Sequence, residues 1–386
     1  MVDVHGNVDP GFEPVRDAFE NNFKTHGEVG AACCIYRDGR AVVDIWGGSA
    51  DARGERPWRH DTLQLVFSAT KGVTAICAHK LIEDGRLDLD SPVANYWPEF
   101  AANGKADITV RQVLSHRAGL AMIEGELSLE QVLAWDPVVE AIAAQPTNWE
   151  PGSAHGYHVR SYGWIVGDLV RRITGASISR FLETEISAPL DLDFFIGLPD
   201  REHDRCAETI PPENGLDTLA EILGADSLTA RALRGPSDLF SYDDMWNRRE
   251  LLAACMPSSN GVGTAHALAR LYAATVGDVD GLRILAPETV DTARAVHSEG
   301  PDKVILLPSR YGLGFTLPPM LARHCGKGAF GHPGAGGSLG FADPEARLGF
   351  GYVMNRMHLA AEPDPRAHSL VKATYACLES SAGGAA

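Results

Sequence analysis

Ser68 and Lys71 stand three residues apart in Ser68-Ala69-Thr70-Lys71. On a helix that spacing sets a hydroxyl and an amine one turn apart on the same face. A hydroxyl nucleophile needs a nearby group to take its proton, and an amine at i+3 does this without help from the rest of the fold. Tyr157 follows the turn Trp149-Glu150-Pro151-Gly152-Ser153. A phenol beside an ammonium has its phenolate favoured and can act as general base; taken alone, Tyr157 reads as an ordinary packed aromatic. A third stretch, Gly331-His332-Pro333-Gly334-Ala335-Gly336-Gly337, has glycines that let another backbone or a substrate come close. A backbone N–H from it, paired with that of Ser68, would hold an oxyanion; a Gly-rich β-bulge accounts for the same letters.

Other motifs compete. A second Ser-x-x-Lys, Ser369-Leu370-Val371-Lys372, lies in the last helical stretch with no chain after it to supply partners, and reads as a chance match. Gly336-Gly337-Ser338-Leu339-Gly340 fits G-x-S-x-G, but that elbow needs a helix after the serine, and here a turn and another strand follow. Asp88 and Asp90 lack the remaining ligands of a calcium loop and read as loop and cap carboxylates. His155 and His158 have no further zinc ligands nearby in sequence. No metal, dinucleotide or phosphate loop is expected, and no cofactor.

The elements that must position these residues follow from periodicity. Leu65-Val66-Phe67 delivers the chain to Ser68, and Val73, Ile76, Cys77 and Leu81 recur at helical spacing on one face up to a stop at Gly85. Ser68 thus opens a helix, where free N–H groups and the dipole favour negative charge. Upstream, residues 11–26 read as a helix, and Gly30–Tyr36 with Ala41–Trp46 as a hairpin about Arg37-Asp38-Gly39-Arg40. Downstream, a short helix capped by Thr109 is followed by helices over 128–145, 162–174 (closing at Gly175), 176–190, around Leu219–Leu223 and Leu228–Leu233, and 264–276, capped at Thr264. Nothing in the middle third alternates like a sheet. Strands return at Tyr311–Leu317, Lys327–Gly331, Ser338–Ala342 and Leu348–Asn355, before a closing helix, Pro365–Glu379, and a loose tail. The expected fold is α+β: one mostly antiparallel sheet flanked by helices. Residues 1–67 and 260–386 form the sheet domain and 68–259 a mainly helical domain, with the active site in the cleft between.

In order and spacing these segments resemble the serine β-lactamase and penicillin-binding-protein superfamily, and within it the family VIII carboxylesterases. The resemblance spans about residues 12–378 and includes SATKGVTA, VLSHRAGL, WEPGSAHGYH, YGWIVGDLVRRITG, YGLGF and GHPGAGGSLGFADPE. It implies that Ser68 is the acylated nucleophile, that Lys71 keeps a proton path open, and that Tyr157 acts as base and then acid. It implies an oxyanion hole from the N–H groups of Ser68 and Ala335, and substrate contacts from His332, Gly334 and His158. Which of Lys71 and Tyr157 takes the proton stays open. Two departures matter. His158-Val159 stands where class C enzymes carry x-Asn, and His332 stands where they carry lysine, leaving a weaker, pH-dependent charge. Both shift the expectation from β-lactams toward short-chain carboxylic esters, with β-lactamase, D-alanyl peptidase or acyltransferase chemistry as alternatives.

Composition sets the outer bounds. A chain of 386 residues, 45% hydrophobic and 22% charged, holds a real core. A formal net charge of −17 argues against nucleic acid or an anionic membrane as partner; it says little about the substrate, and the small ester expected as partner is what the resemblance implies. Seven cysteines, with Cys33 and Cys34 adjacent on a strand and so on opposite faces, suggest reduced thiols. With no apolar leader and no run approaching 18 apolar residues, a cytoplasmic location is expected. Oligomeric state is not legible.

Overall fold

A computed structural model of the chain describes residues 2–213, 223–359 and 364–383. β1 (Val4–Val8), β2 (Gly30–Arg37) and β3 (Arg40–Gly48) come first, and β2 and β3 form the expected hairpin. Its turn residues, Asp38 and Gly39, have φ of +53° and +79°, the left-handed pair that a two-residue turn needs to match the strand twist. β4 (Gln64–Leu65), β5 (Phe194–Ile196) and β6 (Gly261–Gly263) form a small sheet in the order β4-β6-β5. β7 (Ser298–Pro301) and β8 (Pro308–Tyr311) make a two-stranded ribbon. β9 (Phe330–Pro333), β10 (Leu339–Asp343) and β11 (Leu348–Met354) complete a six-stranded antiparallel sheet, β1-β3-β2-β11-β10-β9. The expected α+β class, an antiparallel sheet flanked by helices, is the class observed.

The sheet separates two apolar layers. On one face Cys33, Ile35, Phe341 and Phe350 pack with Phe19 of the helix Glu13–Thr25 and with Leu370 and Val371 of the closing helix Pro365–Gly383. On the other, Cys34 and Tyr36 join the larger core with the helix Ala265–Val276. The adjacent cysteines do point to opposite faces, and none of the seven cysteines is paired in a disulfide. The local signals for helix ends held. Thr109 makes a capping box with Gln112, Thr264 accepts the Ala267 N–H, and Gly175 closes Ser161–Thr174 at φ +77°.

Several expectations need correction. β1 pairs along β3 from Val4↔Gly47 to Val8↔Val43, yet its residues, VHGNV, carry too little apolar alternation to show it. β5 and β6 put strands where none was expected; at three residues each they are too short for a period of two to register. Tyr311–Leu317 is not a strand beyond Tyr311: Gly314 turns the chain at φ +86°, and only single bridges follow. The stretch 128–145 is two helices, Leu129–Leu133 and Asp136–Ala144, divided at Trp135 with φ +72°. The closing helix runs past Glu379 into the small residues taken for loose tail. The helix expected around Leu219–Leu223 falls almost wholly outside the described residues, as does the end of the tail. Among the described residues no helix is long and apolar enough to cross a membrane.

Candidate active site

The helix Thr70–Glu83 is the centre of the molecule. Val73, Ile76, Cys77 and Leu81 are buried as expected, but so is almost every other residue from Thr70 to Ala78. Gly72, Ala75 and Ala78 let neighbours close in on all sides, so the helix is a core rod rather than one wet on its far face. Ser68 lies just before it, in a single 3-10 turn, Phe67–Ala69. Its N–H belongs to a first turn, where amides lack intrahelical partners and the dipole favours negative charge. Phe67 has φ +45°, a strained conformation for an aromatic residue that survives only where packing holds it. Tyr242 at 5.4 Å and Trp246 at 5.2 Å, both edge-on to the Phe67 ring, supply that packing.

Lys71 is fully buried. Its Nζ is 3.1 Å from Ser68 Oγ, 2.9 Å from the Ser258 carbonyl oxygen and 4.8 Å from the centre of the Tyr157 ring. Burial first, and then the Arg160 guanidinium, drive its ammonium well below the usual lysine range. Lys71 donates to Ser68 Oγ and to the Ser258 carbonyl oxygen. A charged Lys71 would be expected to turn Tyr157 into a phenolate; instead, burial raises the Tyr157 phenol, against smaller opposing pulls from Ser68 and Arg160. Burial thus disfavours the charged form of both groups.

Tyr157 is held from behind. Its N–H is 3.1 Å from each Asp302 carboxylate oxygen. Its ring stacks on Tyr311 at 6.2 Å and meets His116 at 5.2 Å and His332 at 5.9 Å. Asp302 also accepts from the Ser309 hydroxyl at 2.9 Å and the Val304 N–H at 2.8 Å. The β7–β8 ribbon thus fixes the loop that presents the phenol to Ser68.

The remaining predicted residues have different surroundings. His332 is buried. Its Nδ1 lies 2.7 Å from the Pro333 carbonyl, and its Nε2 has no hydrogen-bond partner among the described residues. Burial and then Lys71 push it down to about 3, so the expected pH-dependent charge gives way to a neutral ring. His158 is also buried; its Nε2 accepts the Leu120 N–H at 3.0 Å and its Nδ1 meets the Gly156 carbonyl at 2.7 Å. With both nitrogens engaged, it braces the loop beneath Tyr157 and offers neither to a substrate. A Cβ on Gly334 would lie 2.1 Å from the Val66 carbonyl oxygen and 2.1 Å from Ser338 Oγ. The end of β9 therefore presses on the segment that delivers Ser68, and Ala335 follows at once. Ser338, the G-x-S-x-G serine, donates to the same Val66 carbonyl at 2.8 Å and leads into β10, not a helix. Ser369 binds Asn22 and Arg366 on the back of the sheet. His155 meets Ser309 at 2.9 Å, and Asp90 forks onto Arg111 at 2.7 and 2.8 Å.

Sequence reasoning passed over Ser258 and Arg160. Ser258 comes 187 residues after Lys71, and no local pattern marks it. Arg160 stands three residues beyond Tyr157, which is the one signal available. It is buried, with Nη1 3.1 Å from Ser259 Oγ, Nη2 3.0 Å from the Leu233 carbonyl and the Phe240 ring 4.3 Å away. No carboxylate pairs with it among the described residues, so its charge is spent on Lys71 and the two neighbouring phenols, Tyr157 and Tyr242.

The Beta-lactamase family model matches residues 15–374. The Esterase/beta-lactamase LipL of Mycobacterium tuberculosis is 37% identical over 370 residues, covering 92% of this chain and 83% of that protein. The crystal structure of a family VIII carboxylesterase is similar at 37% identity with a TM-score of 0.89, covering 97% of this chain and 100% of the other. EstA from Arthrobacter nitroguajacolicus Rue61a is similar at 34% identity with a TM-score of 0.88, covering 98% of this chain and 99% of its own.

Proposed function

The chain belongs to the β-lactamase family, and on that premise we propose that it is a serine carboxylesterase that cleaves short-chain esters through an acyl-enzyme on Ser68. One observation carries the reading: the buried Lys71 amino group, its charged form disfavoured by its surroundings, lies 3.1 Å from the Ser68 hydroxyl. Lys71 takes the Ser68 proton as Oγ attacks the ester carbonyl. The N–H groups of Ser68 and Ala335 hold the oxyanion. The Tyr157 phenol gives its proton to the leaving alkoxide and recovers one from the Lys71 ammonium. Water then repeats the sequence on the acyl-enzyme and frees the acid. This assigns the base to Lys71 and the relay to Tyr157. We read residues 1–67 and 260–386 as one wall of the substrate cleft and 68–259 as the other.

Neutral esters suit the site better than β-lactams. The ring at His332 carries no charge for a substrate carboxylate, and the buried, apolar Val159 replaces an amide that would grip a side chain. The printed names of the relatives point the same way, although that of LipL includes β-lactamase, so β-lactam turnover is the second reading. The test is hydrolysis of p-nitrophenyl acetate and butyrate by the wild type and Ser68→Ala, with nitrocefin in parallel. The expected loss is at least about 10³-fold in kcat/KM. Activity retained in Ser68→Ala refutes the nucleophile, and nitrocefin turnover rivalling the ester rate favours the second reading.

A further inference from the structure

A second cluster of reactive side chains lies on β2 and β3, apart from the residues around Ser68. Cys34 and Asp44 are direct cross-strand partners, so their side chains share a face. The helix Ala265–Val276 crosses that face and brings in His266; the polar loop after β3 brings in His60. Asp44 Oδ2 is 2.8 Å from His266 Nδ1 and 3.1 Å from His60 Nε2. Cys34 Sγ is 3.9 Å from the same His266 Nδ1. The donor atoms of Cys34, Asp44 and His266 all lie within 4.8 Å of one another.

A Cys–His–Asp nucleophile is excluded by this arrangement. Such a triad needs the thiol and the carboxylate on opposite ring nitrogens, and here both face Nδ1. The far nitrogen, Nε2, meets the Tyr36 hydroxyl at 3.1 Å, and Arg270 donates to that hydroxyl at 3.2 Å. An imidazole fixed from behind, with its other nitrogen turned toward a thiol and a carboxylate, is how a metal-ligating histidine is oriented.

The geometry points to a divalent transition-metal site formed by Cys34, Asp44, His60 and His266, of the type that holds zinc. Bond lengths of about 2.0 Å to nitrogen and oxygen and 2.3 Å to sulfur put tetrahedral donors roughly 3.3–3.8 Å apart. The Asp44–His266 contact at 2.8 Å and the Asp44–His60 contact at 3.1 Å are shorter than that and the Cys34–His266 contact at 3.9 Å a little longer, so the ion enters the Cys34–Asp44–His266 group as both Asp44 contacts open and His60 turns inward from its place beside Asp44. On binding, the ion displaces to solvent the proton that burial and Asp44 otherwise keep on Cys34; the resulting thiolate and the carboxylate supply two negative charges against the ion's two positive ones, and soft sulfur with imidazole selects zinc or cobalt over magnesium or calcium. Cys34 is fully buried whereas the His60 side chain is half-exposed, so the ion enters from solvent and closes the site through His60. No spacing in the sequence announces this set, because its ligands come from two strands, a loop and a distant helix. The bound ion would tie the loop leading toward Gln64 and Ser68 to the sheet and the helix, which makes its role structural rather than catalytic.

The test uses the full chain, stripped with a chelator and titrated with Co²⁺. The expected result is one equivalent bound, with tetrahedral visible bands and a sulfur-to-cobalt charge-transfer band. That band disappears in Cys34→Ser, and affinity falls at least tenfold in His60→Ala, whose exposed ring is not needed for folding. Zn²⁺ should raise Tm in the wild type and not in His60→Ala. Failure to bind near one equivalent, or binding unchanged in either variant, overturns the site. None of these readouts depends on ester hydrolysis.

Discussion

Gly334→Ala isolates the part of the site that no side chain supplies. The new methyl carbon would sit 2.1 Å from the Val66 carbonyl oxygen, where ordinary contact begins at 3.4 Å. The strand end must therefore retreat by about 1.3 Å, because Val66 is backbone two residues from the nucleophile and cannot swing aside. Ser338 Oγ, also 2.1 Å from the added carbon, blocks the other direction of relief. Overpacking of this kind costs about 1–3 kcal/mol of stability, which a chain of this size survives. Catalysis should suffer more, since Ala335 moves with the strand and its N–H leaves the oxyanion. Losing one such donor costs about 10²–10³ in kcat, and a displacement near 1 Å alone costs about 10². The assay is kcat for p-nitrophenyl butyrate, with Tm and a fluorophosphonate labelling rate measured on the same preparations. A folded Gly334→Ala variant with kcat within threefold of wild type would refute the claim that β9 is pressed against the Ser68 segment to complete the oxyanion hole.

Three further outcomes follow from the same contacts. Ser338→Ala removes one buried hydrogen bond to Val66, so stability should fall by about 1 kcal/mol and activity by tenfold or less; near-total loss would restore the G-x-S-x-G serine as a catalytic candidate. Arg160→Met takes away a positive charge that depresses Lys71. The Lys71 amine then holds its proton to higher pH, and the acidic limb of the kcat/KM profile should move up; an unmoved limb denies the coupling. Burial pushes His79 and His158 down to about 4 and His332 to about 3, so between pH 4 and 6.5 the unfolded chain binds more protons than the native one and stability falls as pH falls. From pH 7 to 5 each of the three costs about 2 kcal/mol. Glu28, raised to about 7 by burial, offsets part of this. A urea midpoint at pH 5 equal to or above that at pH 7 would contradict the assignment.

What could be read from the letters was what chemistry encodes locally. Ser68 and Lys71 meet because i and i+3 share a helix face, Thr109 and Thr264 open their helices with side-chain oxygens that accept a first-turn N–H, and Gly175 closes its helix through a left-handed backbone. The Asp38-Gly39 turn is legible for the same reason. β5 and β6 are strands only because a partner is present, and their residues carry no period. Charge states were the other blind spot. Lys71 reads as an ordinary ammonium and His332 as a titrating ring until burial, which no motif reports, disfavours the first charge and removes the second. Arg160 and Ser258 were missed because their roles rest on contacts across the fold, not on neighbours in the chain.

In the large sheet, β2 has β3 on one side and β11 on the other, so Arg37 waits for its partner Leu348, made much later. Closing so long a loop is slow, and its entropy must be met before any distant pairing is rewarded. Ser68 leaves the ribosome early, flanked by a hairpin that already has its turn, yet β9 and Ala335 arrive some 260 residues later. On the proposed mechanism, a nascent chain halted before β9 would carry Ser68 and Lys71 without the Ala335 N–H, and should hydrolyse esters poorly until β9 had joined the sheet.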